Sequence, residues 1–447
     1  PVSRSRFPKQ FSHLLEESLQ GLTMRRLSKL GNPWIITGQN LRDLTEKKKR
    51  EMGLGQCRCV YEPFGKNTAP AIALLAHLMS LEGLVNEVVG IFPADQLIEN
   101  EDVFYSAVHA AIKVAEQGQV VTLGIKPTYP STGFGYIQTT SEPHFSDNQA
   151  QSFAVIKFHE KPSIELATAF FKSGNYFWNA GIFIFKVSRM IDHLKDYEPA
   201  LWSEITKVKA DLSNIADVYK SVQNISIDYA IMEKLSSSEL SCIPGDMGWN
   251  DVGSWDAIAE LDASSGGGLY KECVVRHNSK RNFVYPQAGK VYALAGVDDL
   301  IIVDTKDALM ITRRGQSQDV KMLVDQLKGI RKQVVDDHMF EERPWGKYEV
   351  LKDTDLFKSK VIQIDPGAQI SYQLHNQREE NWIIIRGEGE FTLNDQIRKV
   401  KAGDSLHIPK QAKHMIKNIG GEILEFVEVQ LGNYFGEDDI IRISDVY

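Results

Sequence analysis

Cysteine is scarce, positive charge is not in excess, and no apolar run is long enough to cross a bilayer. Four cysteines, Cys57, Cys59, Cys242 and Cys273, are too few for a disulfide framework in 447 residues. Cys57-Arg58-Cys59 on an expected strand has the spacing of neither a zinc knuckle nor a C-x-x-C dithiol redox pair. A reducing cytoplasm is the expected setting. The 51 Lys and Arg against 59 Asp and Glu leave a formal charge of -8, which excludes a general nucleic-acid or membrane-surface binder. No secretion signal is evident and no membrane span is expected. An anionic substrate therefore has to find local basic groups in an unfavourable overall field.

What is present is a soluble globular composition, 43% hydrophobic and 25% charged, in a chain too long for one core. Up to about Leu261, apolar runs alternate with helical patterns. Trp34-Ile35-Ile36-Thr37, Val88 to Phe92 and Val120 to Gly124 read as buried parallel strands, and Ala69 to Leu81 and Val103 to Glu116 as helices. This alternation predicts a doubly wound, Rossmann-like α/β domain over 1–262, with ligands at the carboxyl ends of its strands. Ser264-Ser265-Gly266-Gly267-Gly268 reads as a flexible break. A short β-rich, β-helix-like connector with a charged helix from Val320 to Val335 follows over 263–336. Beyond it, residues 337–447 are all-β, with Gly, Pro and Asn-Asp turns between short strands, and predict a small barrel.

Two acidic positions stand out. Asp251 sits in Trp249-Asn250-Asp251-Val252-Gly253-Ser254-Trp255, where aromatics lock a turn and Gly253 is expected to permit a conformation that other residues resist. Asp95 follows the apolar run ending Ile91-Phe92-Pro93-Ala94. Two carboxylates at strand ends suit an octahedral Mg²⁺ whose other ligands are substrate phosphates. Competing bland readings apply nearby. Asn67-Thr68-Ala69-Pro70 caps a helix, Glu160-Lys161-Pro162 is a turn, Asp228 is a cap beside Ser226, and Trp178 and Phe183 are core.

In this order, the motifs resemble bacterial mannose-1-phosphate guanylyltransferases. They are Phe7 to Phe11, Glu62 to Ala71, Phe92 to Asp95, Pro130 to Ile137, Phe158 to Pro162, Trp178 to Phe183, Ser226 to Tyr229 and the segment around Asp251. The resemblance implies attack of a sugar 1-phosphate oxygen on the α-phosphorus of GTP, with release of pyrophosphate. Asp95 and Asp251 would hold Mg²⁺, Lys9 would neutralise the triphosphate, and Lys161 would hold the sugar phosphate. Glu160 would accept from sugar hydroxyls, and Asn179, with donors and an acceptor, would meet a sugar edge. Gly133 and Gly135 would let the backbone approach the ligand, beside Tyr136, while Arg4, Glu62, Asn67 and Thr68 complete the substrate-binding set. The family opens with a glycine-rich strand-to-helix loop, of which Pro1, Ser3 and Arg4 match only the tail. Omission of preceding residues is the expected reason, because a sheet without that strand exposes apolar surface and unpaired edges.

From Arg343 onward the chain resembles the cupin-type mannose-6-phosphate isomerase module fused to such transferases. Gln373, His375, Glu380 and His414 are the implied ligands of Zn²⁺ or another divalent transition metal. Such a site would act on mannose 6-phosphate and fructose 6-phosphate through an enediol. Asn376 and Gln377 stand where the family has further histidines, and Met415 where it has an arginine able to grip phosphate. Metal binding is therefore expected more strongly than isomerase turnover, with a structural barrel as the alternative. The expected partners are GTP and mannose 1-phosphate, with no nucleic acid or membrane, and the resemblance implies a homodimer. Rival readings are a transferase for another base or hexose phosphate and a non-catalytic sugar-nucleotide sensor.

Overall fold

The apolar runs form strands in a computed structural model that describes residues 2–444 apart from 5, 13, 15–16, 147–149 and 265–270. The chain divides into two units. Lys9–Asn40 and Gln56–Ser264 make one, and Pro1–Pro8, Leu41–Gly55 and Ser265–Tyr447 the other. The first holds β1 (Trp34–Gly38), β2 (Arg58–Glu62), β3 (Val88–Ile91), β4 (Leu97–Ile98), β5 (Val120–Ile125), β6 (Tyr136–Ser146), β7 (Gln151–His159), β8 (Tyr176–Lys186), β9 (Leu240–Pro244) and β10 (Trp249–Asn250).

Every residue of β5 is buried, because helices cover both faces of the sheet it centres. Val120 points with Phe183 and Phe185 towards Leu74 and Leu78 of the helix Thr68–Leu81. Val121 and Leu123 point the other way, towards Phe104, Val108 and Val114 of the helix Glu101–Glu116. That alternation is the strand's own period of two. The second helix begins where Asn100 accepts from the Val103 N–H, with Glu101 and Asp102 in its first turn, where the helix dipole favours acids.

Strand order in the main sheet is β3-β8-β5-β9-β7-β6, and it corrects the all-parallel expectation. β5 runs parallel to β9, but β8 inserts antiparallel between β3 and β5. β1 and β2 form a separate parallel pair. Among the described residues β1 pairs only with β2, and β3 only with β8. Both are half-buried rather than buried, because their free edges line one cavity.

In the second unit, Val274–His277 lies parallel to Tyr292–Ala295, and Phe283–Tyr285 parallel to Leu300–Asp304. Both pairings are offset by 18 residues, so this segment coils as a short β-helix. The helix expected over Val320 to Val335 breaks at Arg331 into Val320–Ile330 and Lys332–Asp336. Of the expected break Ser264 to Gly268, Ser264 ends the helix Trp255–Ser264, and 265–268 lie outside the described residues. The amino-terminal residues also pack in this unit, where His338 Nε2 meets the Val2 carbonyl at 2.7 Å. The helix Arg42–Glu51 is joined to it through Arg50 to the Pro344 carbonyl, 2.8 Å, and Lys47 to the Gly346 carbonyl, 3.0 Å. The compact units therefore differ from the expected division at 262 and 336, which reads contiguous stretches only.

Residues from Phe340 to Ser444 form two antiparallel sheets. Ile362, Trp382, Ile384 and Phe426 of one interlock with Phe391 and Ile416 of the other. The Asn394-Asp395 turn has both residues at positive φ, 47° and 67°, the geometry that two-residue hairpins favour. No described helix is long and apolar enough to cross a membrane. Phe426 is fully buried, with its ring 4.6 Å from Trp382, so Phe426→Ala should destabilise the barrel by about 3–5 kcal/mol. Urea unfolding followed by tryptophan fluorescence checks this, and an unchanged midpoint would contradict the packing described.

Candidate functional site

β10 pairs antiparallel with β4, Trp249 opposite Ile98 and Asn250 opposite Leu97. Asp251 follows β10 and Asp95 precedes β4, so the two aspartates leave the same end of one ladder. The Trp249 indole N–H donates to Gln96 Oε1 at 2.9 Å, and Gln96 Nε2 donates to the Ala180 carbonyl at 2.8 Å. Lys9 reaches both segments, with its ammonium 3.1 Å from Asp95 Oδ2 and 2.7 Å from the Asp251 carbonyl oxygen. The Lys9 and Asp95 side chains are 26% and 42% exposed. An ion pair that open to water contributes about 0–1 kcal/mol, so it yields readily to a ligand.

Gly253 corrects the expectation for its turn. The residue at positive φ is Val252, at 47°, and not the glycine. A Cβ on Gly253 would lie 2.4 Å from Asp251 Oδ2, so the glycine supplies space for that carboxylate to fold back. Asn250 Oδ1 accepts from the Val252 N–H at 2.8 Å, and Asp251 Oδ1 from the Gly253 N–H at 3.2 Å. These two side-chain turns hold the loop in place.

Asp251 shares a cavity of about 910 Å³ with Thr68, Gly133, Gly135, Glu160, Lys161, Asn179 and Asp228. Ala94 and Gln96, on either side of Asp95, also line it, while Trp34, Ile36, Val89 and Ile91 give it an apolar side between β1 and β3. A Cβ on Gly135 would lie 2.6 Å from Glu160 Oε2, so this glycine makes room for that carboxylate. Lys161, at φ 43°, places its ammonium 3.0 Å from Glu160 Oε1. The hydrogen bond to Glu160 and its charge raise the Lys161 pKa.

Asn179 is more committed than the sequence implied. Its Oδ1 accepts from Thr122 Oγ1 at 3.2 Å and from the Gly181 N–H at 3.0 Å, and its Nδ2 donates to Asp228 Oδ1 at 3.0 Å. One amide N–H remains for a ligand and no acceptor does. Asp228 is not the helix cap, a role taken by Ser226, whose Oγ accepts from the Tyr229 N–H. Burial, and then repulsion from Glu160, push the Asp228 carboxyl up to about 6. Asp228 and Gln96 are the site residues that sequence reasoning missed. Asp228 had a signal in its place within a matched motif, whereas Gln96 had none beyond following Asp95.

Five residues of the expected substrate-binding set have partners within the protein. Tyr136 is fully buried and its hydroxyl accepts from the Ser131 N–H at 2.9 Å, so it braces the 131–135 loop from behind. Glu62 accepts from the Tyr219 hydroxyl at 3.1 Å, and burial raises its pKa. Asn67 caps the helix Thr68–Leu81 through the Thr68 N–H, and Thr68 Oγ1 accepts from the Ile227 N–H at 2.9 Å. Arg4 belongs to the other unit, buried, with its guanidinium 2.7 and 2.6 Å from the two Asp307 carboxylate oxygens. Tyr136 and Arg4 are thus corrected from ligand contacts to structural ties.

The barrel brings His375, Glu380 and His414 together, with one ligand atom from each within 4.8 Å of the others. His375 Nε2 lies 3.1 Å and His414 Nε2 3.6 Å from the Glu380 oxygens. All three are buried, and neither His375 ring nitrogen nor His414 Nε2 has a hydrogen-bond partner. His414 Nδ1 faces the Ala412 carbonyl at 3.0 Å, which puts the proton there and leaves a lone pair on Nε2. Burial lowers the His414 pKa and keeps the ring neutral. Burial alone would raise Glu380, but the neighbouring His375, His414 and Arg378 hold it below the usual carboxylate range. Arg378 Nε, the Trp382 N–H and Gln430 Nε2 donate to Glu380 at 3.2, 3.1 and 3.0 Å. Orphaned imidazole nitrogens around a held carboxylate fit a divalent cation. Gln373 sits opposite His414 in the ladder, with its Oε1 on Ser371 Oγ at 2.8 Å.

Three family profiles match in succession. They are Nucleotidyl transferase over 1–265, MannoseP isomerase/GMP-like beta-helix domain over 272–327, and Mannose-6-phosphate isomerase C-terminal over 331–445. The chain is 36% identical over 458 residues to a mannose-1-phosphate guanylyltransferase of Salmonella montevideo, covering 100% of this chain and 96% of that one. It is 35% identical over 458 residues to the alginate biosynthesis protein AlgA of Pseudomonas aeruginosa, covering 100% and 94%. A crystal structure from Thermus thermophilus, described as a mannose-1-phosphate geranyltransferase, superposes with a TM-score of 0.60 at 26% identity. It covers 73% of this chain and 95% of that one.

Replacing one buried metal ligand leaves the others unable to close a site. Elemental analysis is therefore expected to find a divalent metal in the parent protein and none in purified His414→Ala. Equal metal content in the two proteins would count against the cluster.

Proposed function

The chain belongs to the mannose-1-phosphate guanylyltransferase family with a fused mannose-6-phosphate isomerase C-terminal domain, and on that premise we propose that its cleft makes GDP-mannose. The mannose 1-phosphate oxygen attacks the α-phosphorus of GTP, a new P–O bond forms, and the bond to the β-phosphate oxygen breaks to release pyrophosphate. The observation that carries this reading is the shared end of the β4–β10 ladder, which sets Asp95, Asp251 and Lys9 side by side. Two carboxylates and substrate phosphates form the donor set of Mg²⁺, which when bound would neutralise charge between the two phosphates. Lys9 exchanges its weak ion pair for the triphosphate and meets charge as it moves to the leaving group. Lys161 holds the sugar phosphate, and Glu160 and Asn179 face the hexose. Thr68, Gly133 and Gly135 shape the cavity wall, with Glu62 and Asn67 supporting the nucleotide side.

The functional division follows the three segments 1–262, 263–336 and 337–447. GTP and mannose 1-phosphate are the substrates, the product feeds polysaccharide synthesis, and cytoplasmic location and a homodimer complete the reading. In the barrel, His375, Glu380 and His414 with Gln373 would hold Zn²⁺ or a similar ion, which supplies Lewis-acid polarisation of a sugar carbonyl. Interconversion of mannose 6-phosphate and fructose 6-phosphate is the second reading, favoured by that donor set. It has to proceed without an arginine at position 415.

Asp95→Asn and Asp251→Asn should each lower pyrophosphate release by at least about 100-fold, since charge neutralisation dominates such transfers. Both residues lie on the surface of the cleft, so thermal midpoints should hardly move. Near-normal turnover in either variant would refute the assignment. A coupled assay from fructose 6-phosphate, run with metal supplied, decides the isomerase reading by the presence or absence of mannose 6-phosphate.

A further inference from the structure

The bonds around Asn179 determine which way its amide points. The Gly181 N–H is a donor and must face the amide oxygen, and the Asp228 carboxylate is an acceptor and must face the amide nitrogen. Thr122 Oγ1 takes the second lone pair of that oxygen. Gly181 holds φ +69°, and the β5–β8 register shifts beside it, between Thr122 and Gly124. This is a bulge of the kind that re-aims a side chain next to a site. Asp228 is itself pinned from behind. The Ile227 N–H donates to Thr68 Oγ1, and the Ala69 N–H to the Ile225 carbonyl at 3.2 Å, which ties the short helix Ile227–Ala230 to the start of Thr68–Leu81.

We propose that Asp228 is a positioning residue for sugar recognition, holding the Asn179 amide so that a single N–H and no acceptor is offered to the hexose. Glu160 is the complementary half. Its Oε2 and the Asn179 Cβ both border the space beside Gly135, 2.6 and 3.5 Å from where a Cβ would sit there. A donor from Asn179 and an acceptor from Glu160 together read one hydroxyl by its lone pair and by its proton. Such a pair rejects hydrogen at that carbon, because both partners are then left unmatched beneath the bound sugar. The inference rests on the transferase reading above and adds to it the residue that sets the sense of the Asn179 contact.

The test compares Asp228→Ala and Asp228→Asn with the parent enzyme, varying mannose 1-phosphate and GTP separately. Asp228→Ala frees the amide and should raise KM for the sugar phosphate about tenfold, with kcat and KM for GTP within about twofold. Asp228→Asn keeps an oxygen that accepts the same bond, so its sugar KM should stay within about threefold of the parent value. In a panel of monodeoxy mannose 1-phosphates, one member should bind poorly to the parent enzyme. That penalty should shrink in Asp228→Ala, the coupling expected of groups acting on one hydroxyl. An unchanged sugar KM in Asp228→Ala overturns the proposal. So does Asp228→Asn as impaired as Asp228→Ala, or an equal loss for GTP and sugar. An inactive parent enzyme would instead fail the transferase reading. Calorimetric titration of mannose 1-phosphate into parent and variant then decides the role of Asp228 without turnover.

Discussion

Two backbone rungs, Trp249 on Ile98 and Asn250 on Leu97, hold the proposed chemistry of the transferase unit in register. So short a ladder is weak by itself, and side chains reinforce it. Trp249 grips Gln96, Gln96 grips the Ala180 carbonyl, and the Gly181 N–H grips Asn179, which grips Asp228. The aspartate on the proposed metal side and the carboxylate behind the proposed sugar side therefore belong to one continuous chain of bonds. A shift of β10 would move both, which makes Trp249 a coupling residue although its indole carries no chemistry.

The two proposed cation sites are built on opposite electrostatic plans. In the cleft, Asp95 and Lys9 are partly exposed, their mutual attraction is screened, and substrate phosphates have room to complete a coordination shell. In the barrel, His375, Glu380 and His414 are buried. An unpaired ionised carboxylate there would cost several kcal/mol even after relaxation, and the buried Arg378 guanidinium, 3.2 Å from Glu380, offsets part of that. Arg378, Trp382 and Gln430 hold the Glu380 oxygens in place. The cleft suits a weakly held ion that arrives with substrate, and the barrel a resident one.

Much of this was legible because it is local or repeats with a simple period. The helices over Thr68–Leu81 and Glu101–Glu116 and the Asn394-Asp395 hairpin follow from patterning and turn chemistry, and the grouping of His375, Glu380 and His414 from the family resemblance. What was not legible depends on distant partners. The antiparallel β8 between β3 and β5 is a matter of topology, since an apolar run does not declare its direction. Arg4 reads as a substrate-binding residue until Asp307, some three hundred residues away, accounts for its charge. The helix Arg42–Glu51 is charged and weakly apolar, so nothing in it names the unit it joins. Asp228 looked like a cap because Ser226 and Asp228 are both capping residue types, and only the Ser226 bond separates them.

Backbone strain marks the same places as the side-chain chemistry. Asn67, Lys161 and Val252 all adopt positive φ, 71°, 43° and 47°, and each adjoins a residue lining the cavity or lines it. Such conformations cost about 1–3 kcal/mol each in a residue other than glycine, most for a β-branched one such as Val252. Local preference opposes them, so the surroundings must impose them. Val252 is buried beneath its turn and tied to Asn250, Asn67 is held by its cap on Thr68, and Lys161 by its pair with Glu160. The sheet centred on β5 supplies the stability that offsets these terms, with Val120, Val121 and Leu123 fully buried. Relaxing Val252 would re-aim the Asp251 carboxylate, so on the transferase reading the strain is what keeps the two acids turned towards a common ion.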